Sequence, residues 1–233
     1  MAKMTFNLFA SQDKALAFVT ADKIITVCGD STAMQLCDVA FAPCMSDGEL
    51  FDMVGKVKGA LQGKSVIAVL SDCMAFTDFV SLPSLGRRQV SEALKVKANL
   101  LYKDASEIAF YNMPLCGRYL VVGIKKSVIA AVREAFAGNG LKLCGITLCG
   151  EVFAKALCRS VPAAKNGDSI LTDGQRLIYV CDGVFAGDLD VSRYGDCISD
   201  VLAQNSIAQP CEVYKTGDTA LAVGPTLQLD ITF

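Results

Sequence analysis

Cysteine, lysine, arginine and carboxylate are the side chains that could carry chemistry in this 233-residue sequence, because histidine is absent. That absence excludes Ser-His-Asp and Cys-His catalysis, His-ligated metals and a histidine pH switch. An enzyme built on this chain would have to work with carboxylates, Lys, Ser or Cys. The cysteines stand at 28, 37, 44, 73, 116, 144, 149, 158, 181, 197 and 211, an odd number spread through apolar contexts. No pair has CxxC spacing, and a zinc site would need clustered Cys and His ligands. The cysteines therefore read as small buried hydrophobes kept as thiols in a reducing compartment. Asp72 and Asp78 flank one strand, but nothing sets a metal or a second acid beside them, so they read as solvated strand ends. Arg87-Arg88 and Lys125-Lys126 are short, isolated basic pairs in a chain of net charge −2, which gives no nucleic-acid footprint. Arg87 and Arg88 open a helix, where the dipole favours acids. A solvated face and a contact with an acidic partner both remain open for them.

The elements that must position these groups follow from periodicity and punctuation. With 52% hydrophobic and 20% charged residues the chain is apolar but globular, and no window supplies the roughly 18 consecutive apolar residues of a membrane span. The opening "MAKMTFNLFASQDK" lacks the unbroken apolar core of a signal peptide, so a cytoplasmic location is expected. Leu16 to Thr20 and Lys23 to Val27 read as short strands around Ala21-Asp22. Ser46 and Glu49 form a capping-box signature for a helix carrying Leu50, Met53, Val54, Val57 and Leu61, which Gly63 ends. "SVIAVLSD", Ser65 to Asp72, is a continuous apolar run suited to a strand covered on both faces.

The middle of the chain repeats strand and helix. Met74, Phe76, Val80 and Leu82 share one strand face, with Asp78 the exception, and Pro83 closes it. Val90, Ala93, Leu94, Ala98 and Leu101 form a helical stripe. Strands over Glu107 to Met113 and Tyr119 to Lys125 precede a helix that Ser127 is expected to cap and "GNG", Gly138 to Gly140, to end. The strand "LKLCGITLC" and helix "EVFAKALC" follow. After the linker-like Arg159 to Ser169 come strands Ile170 to Asp173, Arg176 to Cys181 and Val184 to Val191, the last two joined by Asp182-Gly183. A helix is expected from about Tyr194 to Gln204, and extended runs over Glu212 to Lys215 and Thr226 to Phe233. Strand, strand, strand, helix thus opens both the first and the last third.

That order, with "DFVSLPSLGRRQVSEALKVKANLLYKDASEIAF" and "RYLVVGIKKSVIAAVREAFAGNGLKLCGITLCGEVFAKAL" between, resembles the PilM and GspL cytoplasmic-domain family of pilus and type II secretion assembly proteins. The similarity is carried by residues 65 to 158 and lies in the order of many positions. It implies an α/β, actin-like (ribonuclease H-like) body with an inserted α+β subdomain, truncated relative to full actin-like ATPases. The expected division is 1–72 and 159–233 for the body and 73–158 for the insertion.

Relatives that hydrolyse ATP carry Asp-Ile-Gly and a following Lys, and the resemblance aligns these with Asn7, Phe9 and Lys14. Phenylalanine cannot give the backbone approach that glycine gives. Asp173 and Gly174 remain at the second phosphate loop. Lys14, Asp173 and Gly174 are therefore vestigial cofactor-binding positions, and no cofactor, catalytic residue or metal is expected. ATP with magnesium enters only in the alternative reading, a functional ATP-binding protein of the same machinery. The resemblance implies a non-catalytic scaffold, peripheral at the inner membrane, that links the assembly ATPase to the cytoplasmic tail of a platform protein. Arg87 and Arg88 are the candidate partner contacts, and homodimerisation is left open.

Overall fold

The computed structural model describes residues 13–20, 22–28, 32–34, 46–71, 74–83, 85–101, 108–115, 118–172, 176–190, 212–215 and 221–223. A first sheet has the order β2-β1-β4-β8, from Ile24–Cys28, Lys14–Val19, Ser65–Leu70 and Lys142–Leu148. Strands β1, β4 and β8 are parallel and β2 is antiparallel to β1. A strand buried on both faces should be apolar throughout, and β1 and β4 are: Ala15 to Val19 and Val66 to Leu70 are all at most 3% exposed.

A second sheet has the order β11-β10-β9-β12, from Val184–Asp190, Arg176–Cys181, Asp168–Thr172 and Glu212–Lys215. Here too the first strand, β9, pairs antiparallel with its successor and parallel with a later strand, β12. The two sheets therefore share a three-stranded core, a strand flanked by an antiparallel successor and a later parallel strand, which is the physical content of the echo in the sequence. Strand β3 (Thr32–Met34) pairs with β13 (Leu221–Val223), joining the first and last thirds of the sequence.

A third, antiparallel sheet, β5-β7-β6, is built from Ala75–Val80, Arg118–Lys125 and Ile108–Leu115. Helix α2 (Arg87–Leu101) packs on it through Val90 and Leu94, which form a small separate core with Val80 and Val121. This is the inserted α+β part. Strand β8 completes the first sheet, and α3 (Lys126–Gly138) packs on α1 (Asp47–Leu61) and β8. An apolar parallel strand such as β8 needs a partner strand on its flank, and β4 supplies it.

The helix ends follow the sequence signals closely, with one exception. Ser46 and Glu49 make the reciprocal capping box of α1. At the end of α3, Leu141 N–H donates to Phe136 O and Gly140 N–H to Ala137 O, with Gly140 at φ 70°. Those two bonds are the Schellman arrangement that "GNG" predicts. The exception is the start of α3. Strand β7 runs straight into the helix, the cap position is Lys125, and no side chain caps it, so Ser127 lies inside the first turn. The helix predicted at 194–204 and the strand at 226–233 lie outside the described residues.

The cysteines depart from the expectation in one place. Cys28, Cys144, Cys149 and Cys158 are thiols, whereas Cys181, buried in β10, is disulfide-bonded.

Candidate functional site

Parallel sheets with helices on their faces take ligands beyond the carboxyl ends of their strands. In the first sheet those ends are Val19, Leu70 and Leu148. Among the described residues, the ends of β1 and β8 carry contacts of their own. The β1–β2 turn is closed by Thr20, which is 1% exposed. Its hydroxyl has Lys23 O at 2.8 Å and Asp22 Oδ1 at 3.0 Å as acceptors, and it accepts from Lys23 N–H at 3.3 Å. Its own N–H donates to Lys23 O at 3.0 Å. A phosphate loop needs backbone N–H groups turned outward, and here Thr20 and Lys23 spend theirs within the turn.

Helix α4 (Cys149–Ser160) starts at the carboxyl end of β8. A helix N-terminus attracts anions, but the ring of Phe185 from β11 lies on Gly150, and a Cβ there would overlap it. Glu151, 7% exposed in the first turn, complements the helix dipole and pairs with Lys155 at 3.6 Å. At the other end of α4, the Cys158 sulfur approaches Ala164 O at 3.5 Å and Gly183 O at 3.8 Å. Burial raises its pKa above the usual thiol value, against the pull of Lys155 and Lys165. It is a structural S–H donor, the opposite of an activated nucleophile.

The residues singled out in the sequence fall in different places. Lys14 begins β1 beside Ser65. That is the amino end of the sheet, about 16 Å along the strand from Val19 at ~3.3 Å per residue. Asp173 and Gly174 lie outside the described residues; their flanking positions are tied together by Thr172 Oγ1, which donates to Arg176 O at 2.7 Å. Arg87 and Arg88 are the first two residues of α2, whose first turn holds no acid. The Arg88 side chain is 94% exposed, with Nε 3.7 Å from Glu92 Oε1 one turn on. Asp78 is half-buried on β5, opposite Val121 of β7, and Asp72 lies outside the described residues. Among the described residues no group of three or more Cys, Asp or Glu is placed to hold a metal ion.

Sequence reasoning missed the second face of β5. Phe79 stacks between the Arg118 guanidinium, 4.3 Å from its ring centre, and Tyr179 of β10, 6.4 Å away and tilted by 53°. Tyr179 in turn donates its hydroxyl to Asp168 Oδ1 at 2.7 Å. The signal was present in the alternation of Thr77 and Phe79 with Phe76, Asp78 and Val80, which puts large residues on both faces of the strand.

No family model matches the sequence, and no curated protein matches it. Solved structures do. The chain is similar to the cytoplasmic domain of EpsL, an inner-membrane component of the type II secretion system of Vibrio cholerae, with 12% identity and a TM-score of 0.57 over 87% of this chain and 82% of that one. It is also similar to the PilM-PilN type IV pilus biogenesis complex, with 15% identity and a TM-score of 0.55 over 76% of this chain. That second match spans 60% of the solved chain, less than two thirds of its length. At these identities the likeness establishes the fold alone: an actin-like α/β fold shared with the EpsL cytoplasmic domain and the PilM-PilN complex.

Proposed function

We propose that this chain is a non-catalytic scaffold of a type IV pilus or type II secretion inner-membrane assembly platform. It would work on the cytoplasmic side, linking the assembly ATPase to membrane subunits. The observation that carries this reading is the fold likeness to the EpsL cytoplasmic domain, which runs over most of both chains. The β1–β2 turn, in which Thr20 spends its N–H and hydroxyl internally, and the Phe185 ring against Gly150 support its non-catalytic side. No helix among the described residues is long and apolar enough to cross a membrane.

The test is co-purification of the chain with the assembly ATPase and with the tail of an inner-membrane platform protein from the same organism. Capture of either supports the scaffold, and failure to capture any platform component removes it while leaving the fold untouched. The rival reading, ATP binding through Lys14, Asp173 and Gly174, is separated by a fluorescent ATP analogue with magnesium. Micromolar binding that Asp173→Ala abolishes would overturn the non-catalytic reading.

A further inference from the structure

Strand β11 touches two different bodies within three residues. Phe185 lies on Gly150 of α4, whereas at Gly187 an added Cβ would sit 3.3 Å from Thr77 Oγ1 of β5. In a regular strand, residues two apart face the same way. The register explains the exception: Tyr179 pairs with Gly187 and Val180 with Phe185, so Ala186 is the extra residue of a β-bulge. Tyr179 and Gly187 consequently share the face turned to β5, where Tyr179 meets Phe79. Phe185 shares the opposite face with Val180 and is turned to α4.

The contact at α4 has no slack. Phe185 is 1% exposed, its partner is a glycine with no side chain to yield, and Gly187 faces Thr77 without a Cβ of its own. From this geometry we infer that the Ala186 bulge makes β11 a two-sided clamp, coupling the inserted sheet that carries α2 to the amino end of α4 in the body. Movement of β5 is passed through Gly187 and Tyr179 to β11, and through Phe185 to α4. Packed junctions of this kind shift between discrete arrangements because they have no free volume to deform into. A partner that engages α2 is thereby felt at the carboxyl ends of the first sheet's strands. The inference stands whatever that partner is.

Coupling is reciprocal, which sets the experiment. Amide hydrogen exchange is measured in β5 and in α4 of the intact chain, with β1 as the internal reference. Phe185→Leu, made at the α4 side, should speed exchange at Thr77 to Val80 about tenfold, within the usual span for coupled sites. Gly187→Val, made at the β5 side, should speed exchange at Val152 to Ala154 to a similar degree. Changes confined in each case to the element that the altered residue touches would overturn the clamp. Where a variant accelerates β1 equally, Thr77→Ala, which deletes only atoms facing Gly187, takes its place. A response of Thr77→Ala that stops at β5 refutes the coupling, and one that reaches α4 upholds it.

Discussion

The side-chain amide of Asn139 joins two helices that are far apart in sequence: Nδ2 donates to Phe51 O of α1 at 3.1 Å and to Ala135 O of α3 at 2.9 Å. Close approach at this crossing relies on glycine. A Cβ on Gly138 would come within 2.7 Å of the Phe51 ring, and one on Gly55 within 3.3 Å of Asn139 Oδ1. The crossing holds α1 and α3 as one layer against the first sheet.

Removing the amide should therefore cost more than a surface change. Asn139 is 9% exposed, and Asn139→Ala removes both side-chain hydrogen bonds, a loss of about 1–2 kcal/mol. Asn139→Asp should cost more at neutral pH, because a carboxylate would face both carbonyl oxygens. Urea unfolding of the three proteins checks the order, with alanine between wild type and aspartate.

The capping box of α1 gives a pH dependence whose sign can be worked out. The Ser46 backbone N–H and hydroxyl donate to Glu49 Oε2 at 2.9 and 2.8 Å, and these bonds lower the Glu49 pKa from its usual value. A carboxylate with a depressed folded pKa adds stability that is present above its unfolded pKa and fades as pH falls through the folded one. Thermal melts from pH 7 down to pH 3 should lose this contribution in the wild type, and Glu49→Gln should remove that part of the slope. Ser46→Ala, which deletes the cap itself, should cost about 1 kcal/mol at pH 7.

The small core under α2 is separate from the main one, so it should open separately. Leu94 is 4% exposed and packs with Val80, Val90 and Val121. Leu94→Ala should destabilise by about 2–3 kcal/mol, the lower part of the range for buried leucine in a shallow site. The effect should fall on α2 and β7 first. Amide exchange in α2 should accelerate well before exchange in β1, whose residues belong to the main core.

How far the sequence announced this fold depends on the range of the interaction concerned. Local signals were legible: Ser46 with Glu49 at α1, "GNG" after α3, and Asp182-Gly183 between β10 and β11, where both residues take positive φ. The repeated topology and the apolar runs of β1 and β4 were legible from period and composition. What the sequence hid was set by pairing over long distance. The β3–β13 ladder joins short strands without periodicity. The bulge at Ala186 depends on how β11 meets β10. The candidate site was less legible still. Lys14 was matched to a phosphate loop by spacing alone, while the β1–β2 turn that occupies the strand ends begins at Thr20. Nothing in the spacing could reveal that the turn closes on itself.

The two arginines at the head of α2 separate binding from stability. Arg88 is almost fully exposed, and its single described pairing is an i,i+4 contact with Glu92. Exposed pairs of that type contribute little to folding, so Arg88→Ala should leave the thermal midpoint within about 1–2 °C of wild type. If α2 meets an acidic partner surface, as the proposed scaffold role implies, reversing both charges places like charges against it. The Arg87→Glu, Arg88→Glu double variant should then lower partner capture by at least about tenfold, with slower association and weaker salt dependence. Surface plasmon resonance at two ionic strengths reads both quantities. An unchanged association rate, with folding intact, would show that this end of α2 is solvated surface and that the partner meets another face.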